Sequence, residues 1–68
     1  MYKEKLAKNL KQLIGERTIY RVSKEIGMEH RQLSRYVRGE QEIGLENLIK
    51  LADYFDEDLD ILTGRKEY

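Results

Sequence analysis

The segment Thr18–Gly39 reads TIYRVSKEIGMEHRQLSRYVRG, and its punctuation decides how the chain folds. Thr18 is a good N-cap, because its hydroxyl can accept from a backbone N–H of the first helical turn. Ile19, Val22 and Ile26 then recur on one face of a helix that runs to about Ile26. Gly27 stands after the helix end, where the backbone needs positive φ. A second helix is predicted over about 30–37, burying Leu33 with Tyr36 or Val37, and Gly39 closes it. Its outer side carries His30, Arg31, Gln32, Ser34, Arg35 and Arg38.

Working outward, residues 3–14 place Leu6, Leu10, Leu13 and Ile14 at helical spacing, with lysines at 3, 5, 8 and 11 on the other side. This amphipathic helix ends at Gly15. Beyond Gly39, residues 40–44 form a loop in which Gly44 can serve as N-cap. Leu45, Leu48, Ile49, Leu51, Ala52 and Phe55 build the most apolar helix, expected at the centre of the core. Asp58 caps a last short helix holding Leu59 and Leu62, and acidic residues there suit the helix dipole. Gly64 ends it, and 65–68 are expected to fray. The prediction is an all-α fold of five short helices in one domain spanning 1–68.

Composition bounds the function. Sixty-eight residues without Cys have neither disulfides nor a thiolate metal site to help a small core. The longest apolar runs are two residues, which excludes a membrane span or a signal-peptide core and leads to the expectation of a soluble, cytoplasmic domain. The formal charge is zero, but it is divided. Through Arg38 there are ten Lys and Arg against four Glu, a formal +6. From Gly39 onward three basic residues face nine acidic ones, a formal −6. A binding surface feels charge within roughly a Debye length, about 8 Å in physiological salt, so the basic half can attract phosphates while the acidic half faces elsewhere. Two solvated helix faces are the plainer alternative.

Two helices joined tightly around a glycine form the unit that lays its second helix in a DNA major groove, where Arg and Gln read base edges. The arrangement resembles the Cro and lambda-repressor-like helix-turn-helix family, also called Xre-like, from about Leu6 to Gly64. Val22, Ser23, Gly27, Leu33, Tyr36 and Gly39 match its pattern of apolar, small, glycine turn, two buried apolar positions and glycine. LENLIKLADYFDEDLDILTG at 45–64 is similar to the last two helices of such repressors. The resemblance implies a compact five-helix lambda-repressor-like domain. It also implies a sequence-specific regulator of bacterial or phage type, a repressor, that binds a double-stranded, near-palindromic DNA operator as a homodimer.

Carried over residue by residue, the resemblance makes His30, Arg31, Gln32 and Arg35 the base readers. Arg31 or Arg35 fits a bidentate contact with guanine, worth about 1–3 kcal/mol of discrimination, and Gln32 fits adenine. Phosphate contacts are expected from the backbone N–H groups of Ile19 and Tyr20 at the start of the second helix. Thr18, the Tyr20 hydroxyl, Arg21 and Arg38 assist. The dimer surface is expected around the fifth helix and its flanks, at Tyr54, Ile61 and Tyr68.

Four positions depart from the family pattern. Ile19 replaces a glutamine whose amide touches phosphate, and Glu29 precedes the reading helix where Ser or Thr is common, although a carboxylate can cap there. Glu40 and Glu42 occupy a loop that is often basic. Together they motivate an alternative of the same fold: a protein-interaction module, such as an antirepressor or an antitoxin component, with a regulatory protein as partner. His30 stands without a second His or any Cys, so no metal is expected. Asp56, Glu57, Asp58 and Asp60 lack calcium-loop spacing. No nucleophile–base pairing or phosphate-cradling loop is present, so neither an enzyme nor a cofactor is expected.

Overall fold

The computed structural model describes residues 2–66 and consists there of five helices: α1 Tyr2–Ile14, α2 Ile19–Ile26, α3 His30–Val37, α4 Leu45–Phe55 and α5 Leu59–Thr63. Their ends follow the expected chemistry. Thr18 Oγ1 accepts from the Arg21 N–H at 3.1 Å, and Asp58 Oδ1 accepts from the Asp60 N–H at 2.7 Å. Gly27 adopts φ +83°, and both its N–H and that of Met28 reach the Ser23 carbonyl at 2.9 Å. Nothing would obstruct a Cβ at position 27, so glycine is required there by backbone conformation alone. α4 ends in the left-handed region at Asp56, φ +52°, which is the one positive φ outside glycine among the described residues.

Leu6, Leu10 and Ile14 of α1 join Val22, Leu33, Tyr36, Val37, Leu51, Ala52 and Leu62 in one core, with Met28 plugging the turn between α2 and α3. α1 buries Leu6, Ala7, Leu10 and Ile14, more than any other described helix, and packs most extensively, against α3 and α5, so it is the central helix. This corrects the expectation for α4. That helix buries only Leu51 and Ala52, while Leu45 is 67% and Ile49 41% exposed. Its apolar residues spread over nearly half the helix circumference, wider than the roughly 100° stripe one packed face needs. Mean apolarity cannot tell which edge of so broad a stripe is covered.

Contacts between helices also fix the short α5. The Asn9 amide of α1 donates to two carbonyls in the last turn of α5, Leu62 at 2.9 Å and Ile61 at 3.1 Å, the latter also accepting from the Gly64 N–H. Gly64, φ +84°, lies so close to α1 that a Cβ there would sit 2.6 Å from Lys5 Cδ. Arg65 and Lys66, expected to fray, lie 3.8 and 4.0 Å from the Asp60 carboxylate, and the Lys66 N–H donates to the Asp60 carbonyl. Residues 67 and 68 of that expected tail lie outside the described residues.

Candidate nucleic-acid interface

α3 is held rigidly from behind. Leu33 is fully buried, and Tyr36 and Val37 are nearly so. The Tyr36 hydroxyl accepts from the Asn47 amide of α4 at 3.0 Å, so the buried phenol keeps its polar tip satisfied. On the α2 side Ser23 is buried, and its hydroxyl donates to the Tyr20 carbonyl at 2.7 Å. Glu29 supplies the extended backbone of an N-cap but makes no side-chain cap bond, so the carboxylate does not play the capping part its position allowed. It stays exposed at the mouth of the helix.

With the inner face packed, helical rotation turns Arg31, Ser34, Arg35 and Arg38 into one outward stripe. The three arginines are exposed and Ser34 half-buried. Gln32 lies to the flank and is also half-buried, so it is less open than the sequence reading placed it. His30 is exposed at the first turn and meets the Tyr20 ring edge-to-face at 6.0 Å. Lys24 Nζ lies 5.1 Å from the centre of that same ring. α2 thus supports the entrance of α3 through an aromatic contact and a cation beside it.

The start of α2 lies beside this stripe. Thr18 engages Arg21, which leaves Ile19 and Tyr20 as first-turn residues whose N–H groups have no intrahelical acceptor. The Ile19 side chain packs against the core, so only its backbone faces outward, while Tyr20 is 58% exposed. Two of the cations carry their own counter-charge. Arg21 Nε is 3.3 Å from Glu25 Oε2, and Arg38 Nε is 3.7 Å from Glu40 Oε2. Arg38 Nε also donates to the Ser34 carbonyl at 3.4 Å. Exposed pairs of this kind are worth only about 0–1 kcal/mol, so an incoming phosphate can displace the carboxylate.

Arg17, counted with the basic half, has a structural task that its sequence position only partly signals. Its guanidinium donates to the carbonyls of Leu13 and Ile14 at 2.9 and 3.2 Å and so caps α1, and it reaches the Tyr54 hydroxyl at 2.9 Å. A cation two residues after a helix-ending glycine is a known way to satisfy last-turn carbonyls; nothing in the sequence named Tyr54 as the third partner. The Tyr54 hydroxyl in turn donates to Glu25 Oε1. That hydrogen bond, with a second from Arg21, holds the Glu25 carboxyl below the usual carboxylate range, and the same bond raises the Tyr54 phenol above its usual value. The network ties α1, α2 and α4 together beside the candidate surface.

The residues expected at a dimer surface are distributed differently. Tyr54 is half-buried and engaged in this network, and Ile61 is half-buried in the groove between α1 and α5. Tyr68 lies outside the described residues. The apolar side chains left open on the C-terminal half are Leu45, Ile49 and Leu59. Among the described residues no cluster of His, Cys, Asp or Glu is arranged to hold a metal, and no helix is long and apolar enough to cross a membrane.

A family model described as helix-turn-helix matches residues 3–62, nearly the whole chain. No curated protein and no solved structure gives a significant match.

Proposed function

The chain belongs to the helix-turn-helix family of the Cro and Xre-like type, a family of DNA-binding regulators, and from that premise we propose that it is a sequence-specific repressor reading a near-palindromic operator in the major groove as a homodimer. The observation that carries this reading is the outward stripe of Arg31, Arg35 and Arg38 on a helix whose opposite face is fully packed. Rigid support matters because base discrimination depends on side chains reaching fixed positions on the base edges. Arg31 in the first turn of α3 and Arg35 one turn further along read bases, with His30 at the helix entrance and Gln32 at its flank. Thr18, the N–H groups of Ile19 and Tyr20, the Tyr20 hydroxyl, Arg21 and Arg38 grip the backbone on either side and set register rather than sequence.

A single eight-residue helix reads too few base pairs to compete with nonspecific sites, so two copies are needed, with their α3 helices about 34 Å apart on one face of the duplex. The exposed Leu45, Ile49 and Leu59 support a dimer surface on α4 and α5. Selection from a random duplex pool yields the operator. Arg31→Ala and Arg35→Ala then weaken operator binding about 5–150-fold each, from the 1–3 kcal/mol of a bidentate contact, while scarcely changing binding to a scrambled duplex. Equal losses on both duplexes refute the base-reading assignment.

The pairs Arg21–Glu25 and Arg38–Glu40 favour one second reading, a module of the same fold that holds a protein partner, because they occupy two of the phosphate-gripping cations. A salt titration on random duplex separates the two. DNA binding gives a log affinity falling with log salt by about 0.9 per phosphate neutralised, whereas a protein-holding module shows no duplex binding at about 50 mM salt.

A further inference from the structure

We propose that the lysine face of α1 supplies a second set of phosphate contacts, to the DNA backbone flanking the stretch read by α3. The inference rests on the DNA-binding reading above. An open groove of about 410 Å³ runs between α1 and the C-terminal end of α3, lined by Lys8, Lys11 and Gln12 on one side and Arg38 and Gly39 on the other, with Glu4 at its margin. The two helices are in close contact there: a Cβ at Gly39 would lie 3.5 Å from Ala7 Cβ and 3.7 Å from the Lys3 carbonyl. Lys8 and Lys11, three residues apart, are neighbours on the exposed surface of α1. Arg38, the last arginine of the α3 stripe, therefore borders the same groove as Lys8 and Lys11 of α1.

Continuity and charge select the occupant. Arg38 belongs both to this groove and to the proposed phosphate grip, so a backbone strand that reaches Arg38 lies beside Lys8 and Lys11. Other cations of the basic half have partners of their own: Arg17 caps α1, and Arg21 and Arg38 each carry an exposed carboxylate, Glu25 and Glu40. The α1 lysines add positive field at the C-terminal end of α3, where Glu40 pairs with Arg38. A wide, open groove with no buried polar group suits an extended polyanion better than a small enclosed anion.

The test compares the double variant Lys8→Gln/Lys11→Gln with Lys50→Gln/Arg65→Gln, which removes the same charge from the acidic half. Binding of each and of the unaltered protein to a random-sequence duplex is measured across a salt series, with helix content checked by circular dichroism. Loss of two phosphate contacts lowers the salt slope of the α1 variant by about 1.8, from 0.9 per contact, and weakens binding about 60-fold at 0.1 M salt relative to a common value near 1 M. The control variant keeps the original slope. An unchanged slope in the α1 variant, or an equal fall in both variants, overturns the inference while leaving the DNA-binding reading intact. Failure of the unaltered protein to bind duplex at all overturns both.

Discussion

Replacing Asn9 by Ala tests whether a side chain of α1 holds α5 in place. The amide reaches two carbonyls more than 50 residues away in sequence, at 2.9 and 3.1 Å, from a half-buried position. α5 has only five residues, so its last carbonyls have few other partners. Two neutral hydrogen bonds are worth about 1 kcal/mol each, which water recovers in part, so Asn9→Ala costs about 1–2 kcal/mol. An unfolding entropy of about 2.1 cal/mol/K per residue makes this a fall in Tm of about 7–14 °C for a chain of this length. Asn9→Asp is worse, costing more than about 2 kcal/mol, because a carboxylate then faces two carbonyls at the negative end of a helix. Thermal and urea unfolding followed at 222 nm measure both. If Asn9→Asp is as stable as Asn9→Ala, or if neither differs from the unaltered protein by more than about 0.5 kcal/mol, the bridge does not support α5.

Three further outcomes follow from the same geometry. Tyr54→Phe removes the hydrogen bond that most lowers the Glu25 pKa, so the Glu25 carboxyl moves up toward its usual 4.5, still held somewhat below it by Arg21. Because the folded pKa of Glu25 is depressed, its stabilising contribution is present above the ordinary carboxylate pKa and is lost as pH falls through the folded value; carbon-13 titration of Glu25 in both proteins reads the shift, and identical curves would count against the network. Asp56→Gly relieves a left-handed backbone at the end of α4 and raises stability by about 0.5–1 kcal/mol, measured by urea unfolding, whereas Asp56→Val lowers it. Glu40→Gln releases Arg38 and strengthens random-duplex binding by up to about five-fold at low salt, the equivalent of an exposed ion pair, without altering the preference for a selected operator over a scrambled one.

Local grammar made much of this molecule legible. The hydroxyl of Thr18, the carboxylate of Asp58 and the glycine at 27 act within four residues of where they stand, so their effects are written in neighbouring positions. Leu33 could be assigned to the inner face of α3 by 3.6-residue periodicity, which left Tyr36 and Val37 as alternatives beside it, and packing buries both. Arg17 and Asn9 were not legible as bridges. Both look like ordinary polar residues, and their partners, Tyr54 and the Ile61–Leu62 carbonyls, lie 37 to 53 residues away. α4 was misjudged for a related reason: a broad apolar stripe says that burial is possible but not which neighbour covers it.

Five helices, their order, the tight turn between α2 and α3, and the division of charge between the two halves can all be read along the chain. These depend on caps, periodicity and composition, which are short-range properties of a chain. Tertiary packing decided that α1 rather than α4 is the central helix, that Leu45 and Ile49 stay open, and that Arg17 is spent on α1 and Tyr54. It also brought Lys8 and Lys11 of α1 to the same groove as Arg38. Which faces meet depends on contacts between residues distant in sequence, and those form only when all five helices compete for the same small core.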